Sequence, residues 1–255
     1  MKGSNYMLSA RPFLLFLAVI SVFLLVSNAS AKAPARTGKM EKPSGLQPVF
    51  PDNARCIEIA SPYGSQTRYD GSRRPGFRFK GYHGGIDLSL AEGTPLLAIA
   101  DGTVVKIGKG EQMEGIFLWL RHSPEDTGLS YWVYSKYQHL KSLPELKVGD
   151  RVTVGQEIAH SGKTGTTGGH YGISGYPHLH LSTVKSAHGK YSGGPGPDSY
   201  LVDPLVIYLE ANSSLGKSVD VKSPKKTVTI PCVTTDGHIR PSGTRVVWPV
   251  ACQPR

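Results

Sequence analysis

The chain has 255 residues, 39% of them hydrophobic, and a formal charge of +10. The apolar fraction excludes wholesale disorder, and the length suits one well-filled domain with additions. So basic a surface favours a polyanionic neighbour, an anionic envelope polymer or lipid headgroups, and no nucleic-acid recognition motif accompanies it.

Residues 1–31 read as a signal peptide. Lys2 and Arg11 precede the apolar run Phe13–Val26, and Ala29-Ser30-Ala31 supplies a small-residue cleavage pattern. The run falls short of the roughly 17–25 residues that span a bilayer as a helix, which favours cleavage over an uncleaved anchor. Membrane contact is then transient, and the mature chain is exported, periplasmic or extracellular. Losing Lys2 and Arg11 leaves a charge of +8. Residues 32–55 are rich in Pro and Lys and lack periodicity, so they read as a linker or pro-segment.

From Cys56 the texture is that of short strands. The 30 glycines and 19 prolines among apolar runs favour β-structure with many turns, and helix should be scarce. Thr94–Gly108 holds two β-branched runs hinged at Asp101-Gly102, a hairpin signal. "IFLWLRH" and "YWVYSKYQHL" form the next pair, Gly149–Gly165 gives two further short strands, and "YPHLHLSTV" alternates as a strand. Strands punctuated so often by glycine imply hairpins packed as a small antiparallel barrel or sandwich. After "YLVDPLVIYLE" the pattern fades, and residues 211–255 read as a basic, partly ordered C-terminal extension.

Three cysteines in an exported chain allow one disulfide. Cys232–Cys252 is the expected pair, since both lie in the Pro-rich C-terminal stretch and would close a loop worth roughly 3 kcal/mol. Cys56 is then left over, and the absence of CxxC spacing argues against a cysteine metal site.

Nine histidines are present. In "YHGGIDLSL" an extended backbone puts His83 and Asp87 on one face, with two glycines that permit close backbone approach. Such a pair suits metal ligation, and equally a surface ion pair. In "PHLHL", His178 and His180 share one strand face while Leu179 and Leu181 take the other. His139 ends an aromatic-rich strand. Zinc catalysis needs three protein ligands, an open position for water and an acid–base group nearby, and this inventory supplies each residue type if the fold gathers them.

The stretches from Ser61 to Gly108, "YWVYSKYQHL", "VGDRVTVGQEIAHSGKTG", "PHLHL" and "YLVDPLVIYL" together resemble successive signatures of the lysostaphin/LytM-type zinc metallopeptidases, which are peptidoglycan endopeptidases. The resemblance covers Ser61 to Leu209. It implies a mainly β, duplicated-hybrid-motif fold with a loop-walled groove, and a metallopeptidase domain over 56–210. It further implies Zn2+ held by His83, Asp87 and His180, with His139 and His178 as catalytic, non-ligand histidines, and peptidoglycan peptides as substrate. The alternative is a non-catalytic envelope scaffold or amidase activator of the same fold. Where the family continues HLHFE this chain has "HLHLST", and "GGHYGISGY" lengthens the approach to "PHLH". Tyr82, Tyr171 and Tyr176 are candidate auxiliary donors, with groove or core packing as the plainer assignment. The basic cluster Arg68, Arg73, Arg74, Arg78 and Lys80 reads as a solvated face. His122, His160, His170, His188 and His238 read as structural or surface residues.

Overall fold

A computed structural model describes Met1, residues 39–214 and residues 226–255. The expected signal peptide, Met1 apart, lies outside the described residues. In chain order the strands begin with β1 (Lys39–Met40), β2 (Gln47–Val49), β3 (Ala54–Arg55), β4 (Ile86–Ser89) and β5 (Pro95–Leu97). They continue with β6 (Gly102–Lys109), β7 (Ile116–His122), β8 (Trp132–Gln138), β9 (Arg151–Val152) and β10 (Glu157–His160). The last six are β11 (His178–Ser186), β12 (Tyr200–Val202), β13 (Thr227–Thr229), β14 (Cys232–Val233), β15 (Ile239–Arg240) and β16 (Gln253–Pro254). Among the described residues two α-helices, α1 (Pro124–Thr127) and α2 (Pro204–Ser214), complete the α and β elements, so the described fold is mainly β with little helix. None of the described helices is long and apolar enough to cross a membrane.

The main sheet runs β1-β12-β11-β8-β7-β6-β9, with β4 paired beside the first half of β11. Its path stays open and does not close into a barrel. Strands β7, β8 and β11 are buried along nearly their whole length, because both faces of the sheet are covered. Register sorts the two faces. Leu118, Tyr137 and Leu181 lie in one cross-strand row with Ile86, and all four are fully buried. The adjacent row, on the opposite face by the period-two rule, reads Phe117, Gln138, His180 and Asp87. One face is therefore a leucine-rich core and the other carries the ionisable groups.

Three features differ from the sequence reading. The Asp101-Gly102 hinge does not make a hairpin: β5 pairs with β10, while β6 pairs with β7 and β9. The two runs part company after Leu97, and each finds its partner in the Gly149–Gly165 segment. Secondly, the disulfide joins Cys56 to Cys252, and Cys232 is a buried free thiol. Pairing of β3 with β16 brings the Cα atoms of Cys56 and Cys252 to 4.4 Å, so strand pairing overrides closeness in sequence. Cys232 is nonetheless close, since all three sulfurs lie within 4.8 Å of one another.

Thirdly, the end of the chain is no appended tail. Val228, Ile230, Val246, Trp248 and Val250 belong to the buried core, and Val247 is buried as well. Backbone bonds tie this segment to the rest, from Leu97 N to Pro249 O and from Val247 N to Ile99 O, each 2.8 Å. The 39–57 stretch joins it: β2 runs parallel to β13, and Trp248 Nε1 donates to Ile57 O at 3.1 Å. Burying an indole of this size stabilises by roughly 2–3 kcal/mol, enough to hold strands only two or three residues long.

Candidate metal centre

Strand β4 begins just after Gly84-Gly85, and the second glycine answers to a steric demand. A Cβ on Gly85 would stand 2.3 Å from the Leu181 carbonyl oxygen and 2.9 Å from His180 Nε2. Only glycine lets the β4 entry close onto β11 so that Asp87 falls opposite His180 in register. His83 lies just before the strand, and its backbone N–H donates to Ser65 O at 3.0 Å.

Three atoms converge there. His83 Nε2 is 3.0 Å from His180 Nδ1 and 3.1 Å from Asp87 Oδ1, and His180 Nδ1 is 2.8 Å from the same oxygen. His83 and Asp87 are buried and His180 is largely so. The tautomers follow from the outer partners. His83 Nδ1 donates to the Pro62 carbonyl at 3.0 Å, which leaves a lone pair on Nε2 when the ring is neutral. His180 Nε2 lies 2.9 Å from Ser182 Oγ. With both rings neutral, at most one proton, on His180 Nδ1, is shared among three electron-pair-bearing atoms. Two imidazole nitrogens and a carboxylate oxygen so arranged fit a divalent cation of the zinc type.

Electrostatics agree. Burial alone would raise the Asp87 pKa, but the surrounding imidazoles of His83, His178 and His180 hold its carboxyl well below the usual range. Burial lowers His180 to about 4 in spite of Asp87 beside it. Both groups therefore present electron pairs at neutral pH.

The other two candidate histidines stand alongside. His178 Nε2 is 3.8 Å from Asp87 Oδ1, and its Nδ1 donates to Tyr176 O at 2.9 Å. His139 takes a φ of +64°, which ends β8 in the left-handed region. Strict alternation would send His139 to the face of Tyr137; instead its ring lies 4.6 Å from that of His178 and 6.1 Å from that of His180. His139 Nδ1 donates to Thr164 O at 2.8 Å. Burial, followed by the His178 and His180 rings, pushes its pKa well down, so His139 is held neutral with Nε2 as its basic nitrogen.

All five sequence-derived residues are thus brought together. Of the tyrosines, Tyr176 stacks on His178 with centroids 4.5 Å apart, Tyr82 is exposed, and the Tyr171 side chain lies outside what is described. One contact was not legible in advance. Arg74, read as part of a solvated face, turns inward and places Nη2 3.1 Å from Asp87 Oδ2. No spacing rule marks it, since it comes from an irregular loop 13 positions before its partner. The remaining histidines lie elsewhere: His122 bonds Asp101 O and Ser135 Oγ, and His160 faces Glu157 on the surface.

Comparison with known proteins bears on the same segment. Residues 81–191 match Peptidase family M23. An uncharacterized metalloprotease of Haemophilus influenzae is 37% identical over 129 residues, 49% of this chain and 22% of the relative. The glycyl-glycine endopeptidase ALE-1 of Staphylococcus capitis is 36% identical over 108 residues, 42% of this chain and 26% of the relative. The match to the catalytic domain of lysostaphin from Staphylococcus simulans has a TM-score of 0.41 and 27% identity, covering 59% of this chain and 90% of that one. The chain thus spans about a quarter of the length of the two curated relatives. His83, Asp87, His139, His178 and His180 all fall inside residues 81–191, the segment that matches Peptidase family M23.

Proposed function

We propose that this chain is an exported zinc-dependent endopeptidase that hydrolyses peptide cross-links or stem peptides of bacterial peptidoglycan. The observation that carries the reading is the triangle of His83 Nε2, Asp87 Oδ1 and His180 Nδ1, with sides of 2.8–3.1 Å, beside two more imidazoles. Relatives that share the domain include the glycyl-glycine endopeptidase ALE-1 and the peptidoglycan DD-endopeptidase ShyC of Vibrio cholerae. The leader-like residues 1–31 support export to the periplasm or beyond the cell.

His83, Asp87 and His180 would hold the metal. Zinc bound there supplies Lewis acidity, which acidifies water and polarises a peptide carbonyl. His139 and His178 do the proton work. Each ties Nδ1 to a backbone carbonyl, Thr164 O and Tyr176 O, so the Nδ1 proton is fixed and Nε2 is left to exchange one. A neutral His139 accepts a proton from the attacking water at Nε2 and can return it to the departing amine. Tyr176, stacked on His178, holds that ring in plane beside Asp87. A basic chain, +10 in full and +8 without residues 1–31, suits a substrate layer rich in carboxylates and anionic polymers.

The test is digestion of purified peptidoglycan by the zinc-loaded protein, read by mass spectrometry of the muropeptides. Walls with glycine cross-bridges and walls with direct cross-links should both be offered. Cross-linked dimers should fall and new amino termini appear in at least one of them. Unchanged profiles from both walls with zinc-loaded protein would contradict the reading.

A further inference from the structure

Asp87 turns only one oxygen into the donor triangle. Oδ1 faces His83 and His180, whereas Oδ2 accepts from Arg74 Nη2 at 3.1 Å. The same Nη2 donates to Ser61 Oγ at 2.8 Å, and Arg74 Nε donates to Thr67 O at 3.2 Å. Ser61 is itself bound to Asp87 through the backbone, with Asp87 N donating to Ser61 O at 2.9 Å. The guanidinium is thus anchored on Ser61, whose backbone bridges to that of Asp87, and on Thr67 of the following loop. The Arg74 side chain is 17% exposed and that of Asp87 6%, so water competes little for the contact.

A carboxylate with both oxygens available can chelate a cation through the pair or rotate between them. Here a charge-assisted hydrogen bond occupies Oδ2 and fixes the carboxylate plane. We propose that Arg74 is a positioning residue that makes Asp87 a one-oxygen donor and keeps Oδ1 in the triangle. The guanidinium also offsets the carboxylate charge, so a divalent cation there retains more of its Lewis acidity. This inference rests on the zinc-site reading above and adds to it a residue that touches neither metal nor substrate.

Cobalt(II) substitution tests it, because the visible absorption of cobalt weakens as coordination rises and needs no turnover to be read. In Arg74→Gln the second oxygen is released, and the visible bands should lose intensity relative to wild type. Arg74→Lys, which restores a cationic donor, should recover most of the wild-type spectrum. Arg68→Gln is the control for loop order, since Arg68 braces the same loop through Ser72 Oγ and Arg73 O without bonding Asp87. It should leave the bands unchanged. A wild-type spectrum in Arg74→Gln, or the same loss in Arg68→Gln, would overturn the proposal. Wild-type protein that takes up no cobalt or zinc would instead overturn the metal-site reading, and this inference with it. Should Arg74→Gln fail to fold, a crystal structure of the zinc-loaded wild type decides: one Asp87 oxygen on the metal with Arg74 on the other supports the proposal, and both oxygens on the metal refutes it.

Discussion

His122 on β7 is fully buried, His180 on β11 largely so, and burial lowers both imidazoles to about 4, yet their surroundings differ in kind. Each nitrogen of His122 has a partner of fitting polarity: Nδ1 donates to Asp101 O at 2.6 Å and Nε2 accepts from Ser135 Oγ at 2.8 Å. His180 and His83 instead aim nitrogens at each other and at one carboxylate oxygen. The contrast teaches that burial and a depressed pKa mark an enclosed histidine, not a working one. Converging electron pairs make the distinction.

The contrast breaks if both histidines respond alike to substitution. The largest effect belongs to the triangle: His180→Ala should lower peptidoglycan hydrolysis by on the order of 10⁴, measured by muropeptide release, while His122→Asn keeps the wild-type rate per folded molecule. His122 should show itself in stability. Its pKa is about 4 folded and near 6.5 unfolded, so between these values only the unfolded chain binds the proton. Its contribution is therefore fully present above about pH 6.5 and lost as pH falls toward 4, a change of about 3 kcal/mol. Denaturant titrations of wild type and His122→Asn, compared across that window, should differ in slope; parallel curves would remove His122 from the comparison.

Geometry sharpens the contrast next. Gly85→Ala sets a methyl against the Leu181 carbonyl and pushes β4 off β11, so hydrolysis should fall by about 10²-fold, as for a displacement of about 1 Å. The smallest effect is thermodynamic. Zinc at ten times its Kd should raise the unfolding free energy of wild type by roughly 1.4 kcal/mol, seen as a higher Tm, and should leave His180→Ala unmoved.

What the sequence made legible was what local spacing or family order encodes. His83 with Asp87, and His178 with His180, follow from even spacing along extended backbone, strand β11 from its alternation, and β7 and β8 from their apolar, aromatic-rich runs. His139 was a candidate from its place at a strand end and gained a role only through resemblance, because the left-handed turn that aims its ring has no signature in "YQHL". Arg74 was hidden, since nothing in a run of basic residues tells which one folds inward. The Asp101-Gly102 hinge looked like a hairpin because turn chemistry is local, whereas β5 pairs with β10, far along the chain, and β6 pairs with the next strand β7 and, at its start, with the distant β9. The Cys56–Cys252 bond, with a sequence separation of 196, and the two-residue strands that bring it together lie below any periodicity a window can detect.

The central claim is that His83, Asp87 and His180 share one metal ion while His122 holds none. Elemental analysis of zinc in the purified wild type, His83→Ala and His122→Asn tests this most directly. The account predicts about one zinc per chain in wild type and in His122→Asn, and none in His83→Ala. A wild type without zinc, or a His83→Ala protein that keeps it, would contradict the account.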